Sequence, residues 1–155
     1  MCIRDSLEVL RGGTAEGILR GGNLTTLSHL LGTPWEVPFR DALLLLEDTG
    51  EPMYRIDRML TQLFVSGRLD SLAGLVLGTF DCGPEEHGNM RLRDEVWKRV
   101  LELTAQTDYP VWGNFPVGHL AGNQAIPLGL TATMDSSAGI LTILAEKDNL
   151  TIKYD

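Results

Sequence analysis

Residues Ala42–Leu60, ALLLLEDTGEPMYRIDRML, decide the fold. Five consecutive apolar residues, Ala42 to Leu46, end in two carboxylates, and an amphipathic pattern follows at once. An apolar run without alternation reads as a strand buried on both faces, as in a parallel sheet. Glu47 and Asp48 then lie at the carboxyl end of a core strand, where open α/β sheets collect ligand and catalytic groups. A carboxylate there is costly unless it is paired or hydrogen-bonded. Glu47 is therefore a candidate functional residue; capping of the next helix and pairing with an arginine are the structural alternatives.

Downstream, Pro52 suits the first turn of a helix. Ile56, Met59, Leu60, Leu63 and Phe64 recur with the period of a helix lying on a sheet, and Gly67 stops it. Leu75–Phe80, LVLGTF, is the next buried strand, which gives a strand–helix–strand unit with an expected right-handed crossover. Asp81–Met90 reads as a polar, mobile loop. A helix over Leu92–Ala105 follows, with Val96, Val100 and Leu101 inward and the pairs Asp94–Lys98 and Glu95–Arg99 outward.

Upstream, Leu7–Leu10 and Ile18–Leu19 read as short strands around the Gly-rich turn Gly12–Gly17. Leu24, Leu27, Leu30 and Leu31 mark a short helix ended by Gly32 and Pro34. Pro110–Asn114 is another short strand. Leu128–Met134 and Ile140–Ala145 form a hairpin around Asp135–Gly139. The fold class is α/β: a mostly parallel sheet with packed helices and a C-terminal β-hairpin.

The 155 residues suffice for one domain with a real core. Thirteen basic against 21 acidic residues give a net charge of −8, which argues against nucleic acid or an anionic membrane as partner. The longest apolar run falls far short of the roughly 20 residues that span a bilayer. Met1–Ser6 has no signal-peptide pattern. Cys2 and Cys82 make no disulfide framework, so a reducing cytoplasm is expected.

Three histidines compete for a chemical role. His29 sits on the polar side of a Leu-rich helix. His87 lies near Cys82, but two ligands do not make a zinc site, so no metal is expected. His119 follows a Pro- and Gly-broken strand end, PVGH, where Gly118 lets the backbone turn sharply. A structural role for His119 stays open. Paired with Glu47, it would supply two-thirds of a nucleophile–His–acid triad.

The nucleophile is the weak point. Ser6, Ser28, Ser66, Ser71, Ser136 and Ser137 are the serines, and none lies in a Gly-x-Ser-x-Gly elbow. Cys82 has no local cation or helix start to activate it. The glycines at 12–13, 17 and 21–22 form no dinucleotide fingerprint, and no cofactor is expected. Asn23 is a natural helix cap; the alternative makes Gly22 and Asn23 weak candidate substrate contacts. Tyr54, Arg55, Asp57 and Arg58 read as a structural cluster or an oligomer contact.

The ordered segments AEGILRGGNLTTLSHLLGTP, LLLLEDTGEPMYRIDRMLTQL, GLVLGTF, FPVGHLAGNQAIPLG and TATMD…ILTIL closely resemble the C-terminal domain of the LD-carboxypeptidases, from about Leu7 to Ala145. That family of serine peptidases includes the microcin C self-immunity proteins. The resemblance implies a cytoplasmic hydrolase that cleaves an amide between L- and D-configured centres, typically releasing D-alanine from murein tetrapeptides during recycling. It implies a Ser–His–Glu triad, with the serine and the oxyanion donors on an N-terminal domain. By motif, the glutamate maps onto Glu47 and the histidine onto His119.

The nucleophile domain is absent from the sequence, and residues 1–6 do not resemble the family's linker. The expectation is a non-native start over 1–6, an LD-carboxypeptidase C-terminal domain over 7–155, and no activity in isolation. Expected partners are a muropeptide, the nucleophile domain and a second copy in a homodimer. Two other readings stand beside this one. The first is a non-catalytic muropeptide-binding or dimerisation domain. The second is a hydrolase of microcin-like peptidyl adenylates.

Overall fold

The computed structural model describes residues 7–83, 86–144 and 150–153. The expectation for residues 1–6, and the proposed hairpin end at Ala145, lie outside them. Among the described residues eight strands form one sheet: β1 (Glu8–Arg11), β2 (Thr14–Asn23), β3 (Ala42–Thr49), β4 (Gly74–Asp81), β5 (Val111–Gly113), β6 (Thr131–Asp135), β7 (Ile140–Leu144) and β8 (Leu150–Lys153). Three helices accompany them: α1 (Leu24–Leu30), α2 (Met53–Val65) and α3 (Glu86–Leu103).

The strand order is β1-β5-β4-β3-β2-β6-β7-β8. The pairs β2–β3, β3–β4 and β4–β5 are parallel. The pairs β1–β5, β2–β6, β6–β7 and β7–β8 are antiparallel. The expectation of a mostly parallel sheet is thus corrected: the sheet is mixed, with a parallel centre and antiparallel flanks. The strand–helix–strand units account for the centre alone. Neither the antiparallel docking of β1 on β5 nor the addition of β8 leaves a local sequence signal.

β3 is buried from Ala42 to Asp48, and its period-2 alternation divides the core. Leu44 and Leu46, with Leu75 and Leu77, pack under the helices against Leu27, Ile56, Leu60, Leu63, Val96 and Val100. Leu43 and Leu45 face the other way, among Val76, Trp112, Phe115, Met134 and Leu141. Two dry faces explain why the run shows no polar alternation.

The turn expected over Gly12–Gly17 is shorter, because β2 already begins at Thr14 and runs on through Gly17, Gly21 and Gly22. Gly21 has φ +132°, and a Cβ there would collide with the Leu45 backbone of β3. Pro52 stands immediately before α2 as its N-cap. The polar segment 81–90 is not all loop, because α3 already begins at Glu86. Asn89 ties the helix start to the loop, accepting from Cys82 N at 2.9 Å and donating to Gly83 O at 2.8 Å.

The outward pairs on α3 also differ. Glu95 takes Arg91 at 2.9 Å, whereas Arg99 reaches across to Asp57 of α2 at 2.6 Å. Leu101 is half-buried, and Trp97 and Leu103 join Val96 and Val100 inside. At the sheet edge Arg11 holds the end of α3, donating to Thr104 O at 2.9 Å and to Thr107 Oγ1 at 3.1 Å. No helix among the described residues is long and apolar enough to cross a membrane.

Candidate active site

Glu47 and Asp48 are sequence neighbours, so they leave β3 on opposite faces. Asp48 shares the helix side with Leu44 and Leu46. It accepts from Thr25 Oγ1 at 2.8 Å, Thr25 N at 2.9 Å and Asn23 Nδ2 at 3.0 Å, and so ties the start of α1 to β3. Its own neighbour Thr49 donates a fourth bond from the backbone at 2.9 Å. Asp48 is a fully satisfied structural acid.

Glu47 shares the face of Leu43 and Leu45, and there it meets His119. Nδ1 of His119 lies 3.0 Å from Oε2 of Glu47. The two side chains differ sharply in environment: Glu47 keeps 10% of its side-chain surface exposed, His119 59%. A carboxylate can only accept a hydrogen bond, so Nδ1 carries the proton of this contact. Nε2 is then the free lone pair of the ring, oriented by the acid and open to solvent. That is the posture of a general base held by a buried carboxylate.

The backbone around the pair is shaped to admit it. Between Leu46↔Leu77 and Asp48↔Phe80, β3 supplies one residue, Glu47, and β4 supplies two, Gly78 and Thr79. This is a β-bulge beside the acid, a local kink that re-aims the strand end. Thr79 N donates to Val117 O at 2.9 Å and so docks the histidine loop on the bulge. A Cβ on Gly78 would sit 3.2 Å from the Glu47 Cβ and would strike Val117 O. Gly118 has φ +128°, and a Cβ there would sit 3.1 Å from Glu47 Oε2 and strike Thr79 Oγ1. Two glycines thus clear the space in which acid and histidine meet.

Gly78, Thr79 and the loop residue Asn123 went unnoticed in the sequence. Gly78 alone carried a signal, since a glycine inside a buried strand marks a bulge or a close approach.

The other candidates separate from this pair. Gly22 and Asn23 end β2, in parallel register with Leu46 and Glu47, so they reach the same end of the sheet. The Asn23 carbonyl caps α1 by accepting from Thr26 N at 3.0 Å, as its position predicts. Around Gly22, at φ +139°, the space is open. His29, His87 and Cys82 are exposed.

Tyr54 lies under the Arg58 guanidinium at 5.1 Å, and Arg55 pairs with Glu51 at 3.3 Å. The Ser28, Ser66 and Ser137 hydroxyls donate to Thr25 O, Leu63 O and Asp135 Oδ1, and Ser136 Oγ accepts from Trp112 Nε1. Two surface hollows, of about 540 and 500 Å³, lie between α2 and α3 and between α1 and α2, and neither is lined by Glu47 or His119. The acid–histidine pair sits on the face opposite the helices, at the carboxyl end of β3.

Residues 16–134 match the LD-carboxypeptidase C-terminal domain. The chain belongs to the LD-carboxypeptidase family. A Synechocystis sp. protein that bears a carboxypeptidase name is 39% identical over 134 residues, 85% of this chain and 43% of its own length. The murein tetrapeptide carboxypeptidase of Pseudomonas aeruginosa is 38% identical over 126 residues, 79% of this chain and 39% of its own length. An MccF-like protein from Bacillus anthracis shares the fold, with a TM-score of 0.71 over 96% of this chain and 43% of that one, at 22% identity. This LD-carboxypeptidase chain spans about two-fifths of the length of the curated relatives it matches.

Proposed function

We propose that this chain is the acid–base half of a serine carboxypeptidase that hydrolyses the L–D amide of murein tetrapeptides and releases the terminal D-alanine. One observation carries the reading: a buried glutamate holds Nδ1 of a largely exposed histidine at 3.0 Å, which leaves Nε2 free. The family and the named Pseudomonas relative support the substrate class.

In this reading His119 Nε2 removes the proton from a serine hydroxyl as that serine attacks the scissile carbonyl. The imidazolium then donates the proton to the leaving amine, and water repeats the cycle to release the acyl group. Glu47 keeps the ring in the productive tautomer and stabilises the transient imidazolium. The serine and the oxyanion donors come from the family's nucleophile domain, docked at the sheet end where His119 is exposed. Gly22 and Asn23, at the same sheet end, are within the region that would receive the peptide. Turnover, on this reading, requires the serine of that domain.

The test is complementation. Mixed with a separately produced nucleophile domain, or joined to it, the chain should release D-alanine from a murein tetrapeptide, and His119→Ala or Glu47→Gln should abolish most of that release. Muropeptide binding by this chain with no hydrolysis in either format would replace the proposal with a binding-module function.

A further inference from the structure

His119 is held at its ring by Glu47, but its backbone arrives through Gly118, which has φ +128°. A glycine there is required by the close approach of Glu47 and Thr79, and it brings maximal backbone freedom to the position just before the base. Something must remove that freedom if the imidazole is to stay aimed. The Gly118 amide donates to Oδ1 of Asn123 at 3.0 Å, and no other side chain among the described residues receives it.

Backbone bonds close the rest of the loop: Leu120 N to Gly118 O at 3.0 Å, Asn123 N to Leu120 O at 3.2 Å and Gln124 N to Pro116 O at 2.9 Å. On the other flank Thr79 N fixes Val117 O at 2.9 Å. His119 therefore hangs between two anchors, one on the β4 bulge and one on Asn123. Asn123 itself is exposed and lies outside the apolar core, so its side chain contributes to loop geometry rather than to packing.

We infer that Asn123 is a positioning residue: its side-chain carbonyl pins the Gly118 amide and thereby fixes the approach of His119 to the reacting serine. The inference rests on the proposed acid–base role of His119. Loss of the pin leaves the base present but misaimed, and misplacement by about 1 Å can lower turnover on the order of 100-fold.

Amide hydrogen exchange on this chain tests the pin without any activity. In Asn123→Ala, exchange at Gly118 should accelerate at least ~10-fold while the β3 and β4 amides keep their protection. In Asn123→Asp, which retains an acceptor oxygen, Gly118 protection should return. In the form joined to the nucleophile domain, Asn123→Ala should lower kcat by ~10- to 100-fold and leave KM within about twofold. Asn123→Asp should recover most of kcat. Unchanged exchange at Gly118, or a raised KM with kcat intact, overturns the inference. The two readings fail separately: a joined protein that stays active as His119→Ala removes the acid–base role itself, whereas a dead His119→Ala beside a fully active Asn123→Ala removes only the pin.

Discussion

Glu47 and Asp48, adjacent at the end of β3, serve opposite faces of the sheet: Glu47 holds His119 at 3.0 Å, and Asp48 holds Thr25 Oγ1 at 2.8 Å on the helix side. Strand alternation makes one acid available to chemistry and commits the other to architecture. The pair can therefore be separated experimentally.

Asp48→Ala should destabilise the fold by about 2–3 kcal/mol, since it removes a buried charged acceptor and leaves the half-buried donors of Asn23 and Thr25 without it. Denaturant unfolding would read the loss. The Glu47–His119 contact, on the far face, should persist, so the histidine ring resonances should keep their wild-type shifts. A stability change below about 0.5 kcal/mol, the scatter of surface substitutions, would mean that Asp48 does not hold α1.

At the site the larger effect is on turnover. His119 itself is mostly exposed, but His119→Ala leaves the buried Glu47 carboxylate without its partner and should cost about 1–3 kcal/mol. In the joined enzyme it should remove about 10⁶ of kcat, because base and nucleophile act as a unit. Glu47→Gln should be milder, at about 10⁴, because the ring stays in place with its tautomer no longer enforced. Equal losses for the two variants would indicate that Glu47 does more than orient the ring.

Glu47 and His119 stood out in the sequence because each interrupts a strong local pattern, Glu47 a buried run and His119 a Pro- and Gly-broken strand end. The capping role of Asn23 was legible for the same reason, as a polar residue set before an apolar helical repeat. What stayed hidden is long-range. β1 lies beside β5, about 100 residues away in the chain, and no local periodicity reports that pairing. The support of His119 was hidden too, since the Thr79–Val117 and Gly118–Asn123 bonds depend on a bulge that only the register of β3 against β4 defines. The first turns of α3 failed for a different reason: Glu86–Met90 lacks apolar spacing and contains Gly88, and the Asn89 tie to Cys82 and Gly83 compensates.

Tyr109 gives a pH-dependent prediction away from the site. Its hydroxyl is buried without a well-formed hydrogen bond, and burial, outweighing the lowering by nearby Thr107 and Arg11, pushes the phenol up to about 12. A folded-state pKa above the unfolded value of about 10 means that the stabilising contribution is complete below pH 10 and is lost as pH rises toward 12. Tyr109→Phe removes both the titration and the buried hydroxyl. It should be neutral or slightly stabilising at pH 7. Above pH 12 it should exceed the parent by on the order of 2 kcal/mol in denaturant unfolding. Parallel stability profiles from pH 8 to 12 would show that the phenol ionises freely in the folded state.

Gly118→Ala should be the most damaging small substitution at the site. It combines a φ of +128° with a Cβ that strikes Thr79 Oγ1 and presses on Glu47 Oε2 at 3.1 Å. The backbone strain should cost about 1–3 kcal/mol, and the steric conflict must push either the histidine loop or the glutamate away. Turnover in the joined enzyme should then fall by at least ~100-fold. Gly139→Ala is the matched control: φ is +64° in the β6–β7 turn, and the nearest foreign atom to the new Cβ, on Leu7, lies at an ordinary 3.8 Å. It should cost about 1 kcal/mol and leave turnover intact. If both variants lose activity alike, global strain explains the effect; if only Gly118→Ala does, the close approach at Glu47 is what the glycine is there to permit.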